Sequence, residues 1–282
     1  MTRSQWLDRA NKALRGTEAP RRTAELLLCS VLNIDRVALL CRPDSPLPSG
    51  ATAILDNLLA RRLTGEPVAY LLGFREFYGR DFEVSPHTLI PRPDTECLVN
   101  EALSRLPEHG VRFADFGTGS GCLAVTLAAE RPGWRGTALD VDEEALCVAR
   151  RNAERLEVAD RLQFLCADFT RPGFWEPGSV ALHLVVSNPP YVTEEEYAGL
   201  EPEVREYEPR TALVPGPVGL EHLEAVAEAA GRILRGDGLL IMEHGYLQGE
   251  AVRSLFTPAR WKEAMTGQDL AGRDRYVVAV HR

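Results

Sequence analysis

The chain has 282 residues, 45% of them hydrophobic and 26% charged, a composition that fits a soluble globular protein of one large domain or two modest ones. Its formal net charge of −9 argues against a binder that works by neutralising nucleic-acid phosphates, and suits a cationic ligand or a basic protein partner better. Cys29, Cys41, Cys97, Cys122, Cys147 and Cys166 form no C-x-x-C pair, the opening MTRSQWLDRANKAL has no apolar signal core, and no run reaches membrane-spanning length; free thiols and a cytoplasmic protein are expected.

From Ser4 to about Gly73 the pattern is helical. Trp6, Ala10, Ala13 and Leu14 recur at helical spacing, and Gly16 can end that helix. Pro20 opens a second helix with Ala24, Leu27, Leu28, Val31 and Leu32 on its apolar side. After the Pro-rich turn at 42–48, a third carries Ile54, Leu55, Leu58, Leu59 and Leu63. Such stripes bury against one another as a small bundle, so residues 1–73 read as a helical domain for partner recognition or for capping. The run from Gly73 to Val84 alternates aromatic and polar residues across a glycine, the pattern of a hairpin, and residues 74–91 read as a linker. Next, Pro91-Arg92-Pro93 stiffens an extended approach to a helix that Asp94 is expected to cap.

Residues 92–282 then alternate strand and helix. Strands are expected at Arg112–Phe116, Gly136–Val141, Leu162–Ala167, into Asn188, at Leu239–Glu243, near Trp261 and at Tyr276–Val280, with helices between most of them. Right-handed βα crossovers give an α/β fold with a doubly wound, mostly parallel seven-stranded sheet, and the two closing strands leave an antiparallel one at its edge.

Three strand ends carry the candidate chemistry. Gly117-Thr118-Gly119-Ser120-Gly121 follows a strand and opens a helix, where glycines let the backbone turn sharply and approach a ligand. Asp140 ends the next strand, where a carboxylate can accept both hydroxyls of a ribose, and Val141 follows it. A dinucleotide fingerprint would place a glycine where Cys122 stands. Asp115 adds a second negative charge, so the pair suits an amino group and a sulfonium better than a pyrophosphate and points to S-adenosylmethionine. Asp168 can accept from an adenine amino group, and Phe169 can stack on the base.

Leu184-Val185-Val186-Ser187 is a strand buried on both faces that stops at Asn188-Pro189-Pro190-Tyr191. An amide nitrogen is a poor nucleophile because its lone pair is delocalised. Catalysis there needs its two hydrogens held by acceptors, here the Asn188 side-chain oxygen and the Pro189 carbonyl, with Tyr191 against the flat face. The histidines show no ligand spacing, and no metal is expected. Glu194 to Glu196 and Glu201 to Glu208 read as solvated loop faces, or as a docking surface for a basic partner.

Gly117 to Gly121, Asp140 and Asn188 to Tyr191 resemble the Rossmann-like class I S-adenosylmethionine-dependent methyltransferases whose Asn-Pro-Pro-Tyr motif acts on a planar nitrogen. With Pro91 to Glu96, the helical amino-terminal segment, Glu208-Pro209-Arg210 and the stretch 269–275, the chain resembles the peptide chain release factor glutamine methyltransferases over nearly its whole length. That resemblance implies methylation of the glutamine in a Gly-Gly-Gln tripeptide, S-adenosylhomocysteine as product, and a role in translation termination. It implies Asn188, Pro189, Pro190 and Tyr191 at the acceptor, and Gly117, Thr118, Gly119, Ser120, Gly121 and Asp140 on the donor. Thr95 would close the donor pocket, and the enzyme would be a monomer with no direct nucleic-acid contact. Phe169 stands where such proteins often carry tryptophan, and residues 213–219 lack the usual paired glycines. The alternatives are a glutamine methyltransferase of a ribosomal protein, a nucleic-acid adenine methyltransferase, which needs a basic cleft, and a nucleoside-binding module without transfer.

Overall fold

A computed structural model of the chain describes residues 1–175 and 181–282. They group into two compact units, Met1–Phe74 with Pro202–Tyr207, and Arg75–Glu201 with Glu208–Arg282.

The first unit begins with five helices, α1 (Arg3–Ala13), α2 (Pro20–Leu32), α3 (Arg36–Cys41), α4 (Ala51–Leu63) and α5 (Val68–Leu72). Thr2 and Gln5 exchange backbone and side-chain bonds at the start of α1, which satisfies two of its orphan N–H groups. The six-residue α3 is too short to show a stripe in the sequence; Asp35 starts it by accepting from the Ala38 N–H at 2.6 Å. Trp6, Leu14, Leu27, Leu28 and Leu55 share one core, and the buried Trp6 ring places its N–H on Asp56 at 2.9 Å. Residues 202–207 belong to this unit: Glu203 meets the buried Arg62 at 2.6 Å, and Tyr207 donates to the Thr64 carbonyl at 2.8 Å.

In the second unit, β1 (Phe74–Phe77) and β2 (Arg80–Glu83) form a two-stranded sheet. Tyr78 and Gly79 between them both have positive φ, 52° and 72°, the conformation that a tight two-residue turn requires. There follow α6 (Glu96–Arg105), β3 (His109–Phe116), α7 (Cys122–Glu130), β4 (Gly133–Asp140), α8 (Glu143–Arg155), β5 (Leu162–Cys166) and β6 (Leu182–Ser187). After the short helices α9 (Glu194–Ala198) and α10 (Pro202–Tyr207, counted above with the first unit) come α11 (Glu221–Ile233), β7 (Leu234–Glu243), α12 (Gly249–Ser254), β8 (Trp261–Gln268) and β9 (Asp274–His281).

Seven of these strands form one sheet in the order β5-β4-β3-β6-β7-β9-β8. The first five run parallel, and helices cover both faces, the expected α/β architecture. Successive residues of β6 enter opposite cores: Leu184 and Val186 pack with Phe113 and Trp134, whereas Val185 packs with Phe116 and Leu240. The antiparallel strand is not at the edge, contrary to the sequence expectation. It is β9, set between β7 and β8 and antiparallel to both. Residue character explains the swap: Tyr276 to Ala279 are buried, while half of β8 is exposed, with Lys262, Glu263 and Gln268 among the exposed residues, which suits an edge. Nor does Asp94 cap a helix: Pro93–Thr95 form a 3₁₀ turn ahead of α6, and Asp94 faces Arg275 at 3.5 Å. Among the described residues no helix is long and apolar enough to cross a membrane.

Candidate functional site

The carboxyl ends of β4, β3, β6 and β7 lie side by side, and β3, with a neighbour on each hand, is where the strand order reverses. Open α/β sheets bind ligands at such a point.

The loop after β3 is built for close approach. Gly117, Gly119 and Gly121 all have positive φ (70°, 54° and 81°), so side chains are disfavoured at all three. Gly117 and Thr118 both donate to the Leu139 carbonyl at 2.9 Å, which stitches the loop to β4. Asp140 receives the Gly119 N–H on one carboxylate oxygen at 2.8 Å and the Asp142 N–H on the other at 3.1 Å. Burial raises the Asp140 pKa, against the pull of those backbone donors.

A cavity opens over this loop. Gly117 to Ser120, Asp140, Val141, Asp168, Phe169, Asn188 and Thr95 all line it, so it brings together candidates from five separate stretches of the sequence. The Phe169 ring stacks on Phe116 at 5.6 Å between centroids and meets His222 edge-on at the same distance. Asp168 is held by the Thr170 N–H at 2.9 Å and by Arg171 at 3.0 Å; these partners outweigh its burial and keep its pKa below the usual carboxylate range. His222 was given no role by the sequence, yet it lines the cavity with a buried Nδ1 that has no partner among the described residues.

Two of the donor-side candidates sit outside the lining. Asp115 is fully buried beneath the loop, where one oxygen accepts from the Thr118 hydroxyl at 2.6 Å and the Ala124 N–H at 3.1 Å. Desolvation pushes its carboxyl up to about 7. It therefore shapes the loop and does not line the cavity. Gly121 is the hinge into α7; a Cβ there would meet that of Ala149 at 3.0 Å.

Asn188 lies where this cavity meets a smaller one, which is lined by Pro189, Tyr191, Val192, Leu213 and Glu243 and shares Leu89, Arg92, Asn188, Pro190 and Ala212 with the first. Its amide donates to the Thr95 hydroxyl at 3.1 Å, the Thr95 hydroxyl donates to Glu243 at 2.6 Å, and the Tyr191 hydroxyl donates to the other oxygen of Glu243 at 3.0 Å. Sequence reasoning missed Glu243. The signal was available: a charge ending the apolar run Leu239-Leu240-Ile241-Met242, at the sheet edge where ligands gather. The Tyr191 backbone is pinned as well, since Gln248 donates to its carbonyl at 3.0 Å.

Glu208 corrects the reading of residues 201–208 as a solvated face. It is buried, accepts from the Ile90 N–H at 3.0 Å and pairs with Arg92, because the extended Ile90-Pro91-Arg92-Pro93 segment has no strand to satisfy it. Glu194 pairs with Arg210 at the surface. Among the described residues no group of three or more His, Cys, Asp or Glu side chains could hold a metal ion.

The donor set fits the sulfonium nucleoside proposed from the sequence. The Gly117 to Gly119 backbone and the Asp140 and Asp168 carboxylates line the cavity, and Ser120 adds a buried hydroxyl that has no partner among the described residues.

Residues 5–73 match the family described as PrmC N-terminal domain, and residues 95–200 match the Methyltransferase small domain. The chain is 49% identical over 264 residues to a release factor glutamine methyltransferase of Nitratidesulfovibrio vulgaris, covering 93% of this chain and 88% of the relative. It is 40% identical over 275 residues to the release factor glutamine methyltransferase of Escherichia coli, covering 98% and 97% of the two chains. Among solved structures, a methyltransferase from Pyrococcus furiosus superposes with a TM-score of 0.52 at 20% identity, over 80% of this chain and 98% of that one, a likeness of fold.

Proposed function

This chain belongs to the family of release factor glutamine methyltransferases, and from that premise we propose that it moves a methyl group from S-adenosylmethionine to the side-chain amide nitrogen of the glutamine in a release factor's Gly-Gly-Gln tripeptide. The observation that carries the reading is the place of Asn188, at the junction of a nucleoside-sized cavity and a smaller slot, with its donor side tied to Thr95. Its acceptor side is then left for a ligand.

When bound, the sulfonium supplies an electrophilic methyl carbon. The chain's own work is orientation. Asn188 Oδ1 and the Pro189 carbonyl accept the two hydrogens of the acceptor amide, which turns its nitrogen toward the donor cavity, and the Tyr191 ring lies along the plane of the group. Pro189 and Pro190 lock the backbone that presents these acceptors. Such positioning is worth roughly 7–11 kcal/mol in favourable cases. As the N–C bond forms, the S–C bond would break and S-adenosylhomocysteine would leave as the neutral thioether; the nitrogen's proton becomes acidic only then and passes to solvent, so no strong base is needed. On the donor side, Gly117, Thr118, Gly119 and Ser120 hold the amino-acid portion, Asp140 with Val141 the ribose, and Asp168 with Phe169 the base. Asp115 and Gly121 keep the loop in shape.

In this reading residues 1–73 recognise the substrate protein, 74–91 link, and 92–282 carry the transfer. The enzyme works in the cytoplasm as a monomer, on protein and not on nucleic acid. The test is incubation of the full chain with methyl-labelled donor and purified release factor, intact and with the tripeptide glutamine replaced, beside ribosomal proteins and RNA. Label only in the intact release factor is expected. Label that survives replacement of the glutamine, or appears in a ribosomal protein or RNA instead, would overturn the assignment.

A further inference from the structure

The Asn188 side chain is nearly symmetric in shape, yet only one of its two orientations offers an oxygen to an incoming amide. Something must decide between them. Thr95 Oγ1 is the immediate neighbour, 3.1 Å from Asn188 Nδ2, and a hydroxyl could equally have donated to an oxygen at that place. It cannot here, because its single proton is directed to Glu243 Oε2 at 2.6 Å. Glu243 in turn receives the Tyr191 hydroxyl on Oε1 at 3.0 Å. An ionised carboxylate has lone pairs and no proton to give, so both hydroxyls must donate to it. Thr95 is 1% exposed and Glu243 2%, which leaves water little room to substitute for either partner. Burial raises the Glu243 pKa; the bonds from Thr95 and Tyr191 and the nearby Arg275 work the other way and favour the carboxylate form, the form in which both hydroxyls must donate.

We propose that Glu243 is the positioning residue of the transfer: through Thr95 it sets the direction of the hydrogen bonds that turn the Asn188 oxygen toward the acceptor, and through Tyr191 it fixes the ring against which the acceptor lies. The inference rests on the methyl-transfer reading above for the identity of the acceptor, and on the three hydrogen bonds alone for the orientation. Glu243 lines the smaller cavity with both oxygens already bonded, so in this scheme it acts on the acceptor through Thr95 and Tyr191.

The substitution that isolates the effect is Glu243→Gln, which keeps the shape and places an NH2 opposite either Thr95 or Tyr191. If that NH2 faces Thr95, the hydroxyl must accept from it, and its freed proton recruits the Asn188 oxygen and reverses the amide. Thr95→Val breaks the same chain one link later, and Thr95→Ser keeps the hydroxyl. Turnover should fall at least about tenfold in Glu243→Gln and in Thr95→Val, in each case by a clearly larger factor than KM for the release factor or calorimetric donor affinity changes. Thr95→Ser should recover turnover relative to Thr95→Val. The double variant should lose no more than the worse single one, because both interrupt one chain. In ¹⁵N spectra the Asn188 side-chain NH2 signals, identified by their loss in Asn188→Ala, should exchange slowly in wild type and faster in both single variants.

Unchanged turnover and unchanged NH2 exchange in Glu243→Gln would overturn the proposal. So would turnover losses that multiply in the double variant, or that are matched by loss of donor affinity. Thermal unfolding of each variant separates these outcomes from misfolding, and Thr95→Val tests the chain without altering a charge. A wild type that leaves the release factor unlabelled overturns the functional reading instead, and the NMR experiment still decides whether Glu243 orients Asn188.

Discussion

The side-chain amide of Asn152 donates to the carbonyl of Ser120 at 2.9 Å, tying the middle of α8 to the ligand-facing glycine loop. The same NH2 donates to the Glu83 carbonyl at 3.0 Å, and its oxygen receives the Glu83 N–H at 2.8 Å. One buried amide thus joins the end of the β1–β2 hairpin to the glycine loop that lines the larger cavity. We expect Asn152→Ala to destabilise the protein by about 1–3 kcal/mol, since it strands the buried Ser120 carbonyl together with two part-buried backbone groups of Glu83. Donor affinity should fall at least about fivefold through the loosened loop. Chemical denaturation and calorimetry measure the two effects, and wild-type stability in the variant would show that water replaces the amide.

Asp140 holds the loop and faces the cavity. Replacing it with Ala removes the acceptor of the Gly119 N–H along with a negative charge, and should weaken donor binding by at least about tenfold, on the order of 1.4 kcal/mol. Burial has raised the Asp140 pKa above the ordinary carboxylate value. Wild-type donor affinity should therefore decline as pH falls through that raised pKa, where the carboxylate takes up a proton and stops attracting a cation. A binding profile measured against pH should lose this limb in Asp140→Ala; a limb that persists assigns it to another group.

Asp115 makes a stability prediction with a definite sign. Its folded-state pKa stands at about 7, raised by burial from 3.8. Between those values the native state binds a proton that the unfolded chain has released, so the contribution of Asp115 is most favourable at low pH and is lost as pH rises through 7. The full swing is a few kcal/mol. In Asp115→Asn, the amide oxygen can keep the bonds from Thr118 and Ala124, and the titration disappears. Relative to this variant, wild type should lose stability on going from pH 5 to pH 8 in urea titrations. Parallel curves for the two proteins would mean that Asp115 is solvated more than its burial implies.

What could be seen in the sequence, and what could not, divides by the range of the interaction. Asn188-Pro189-Pro190-Tyr191 and Gly117 to Gly121 were legible because their meaning is local: a buried strand ends, and rigid or permissive backbone follows. Asp140 was legible because a strand end near a glycine loop is a fixed distance from it in any such fold. Glu243, Asn152 and Glu208 were not, since their partners Thr95, Ser120 and Ile90 lie far away along the chain. Asp115 was misplaced for a related reason. Pattern puts it beside the loop, but whether its carboxylate points over or under the glycines depends on the bond to Thr118 and on the start of α7. The place of β9 inside the sheet likewise depends on packing against β7, which no local pattern encodes.

The glycine loop itself offers a pair of substitutions whose effects should separate. Gly119 and Gly121 both have positive φ, 54° and 81°, so alanine at either is strained by roughly 1–2 kcal/mol. Beyond that, their surroundings differ. A Cβ on Gly119 meets no protein atom within 4 Å, and Gly119 lines the larger cavity, proposed above for the donor. A Cβ on Gly121 would lie 3.0 Å from the Ala149 Cβ and 3.3 Å from its Cα, inside the contact between α7 and α8, where the backbone cannot yield cheaply. Gly121→Ala should therefore cost more stability than Gly119→Ala, by at least about 1 kcal/mol, whereas Gly119→Ala should cost more donor affinity because its methyl group occupies ligand space. Thermal unfolding and calorimetric titration of the two proteins read both quantities. A reversed order of donor affinities would put Gly121 and not Gly119 at the point of closest approach to the ligand, and a reversed order of stabilities would mean that α7 and α8 move apart to admit the methyl group.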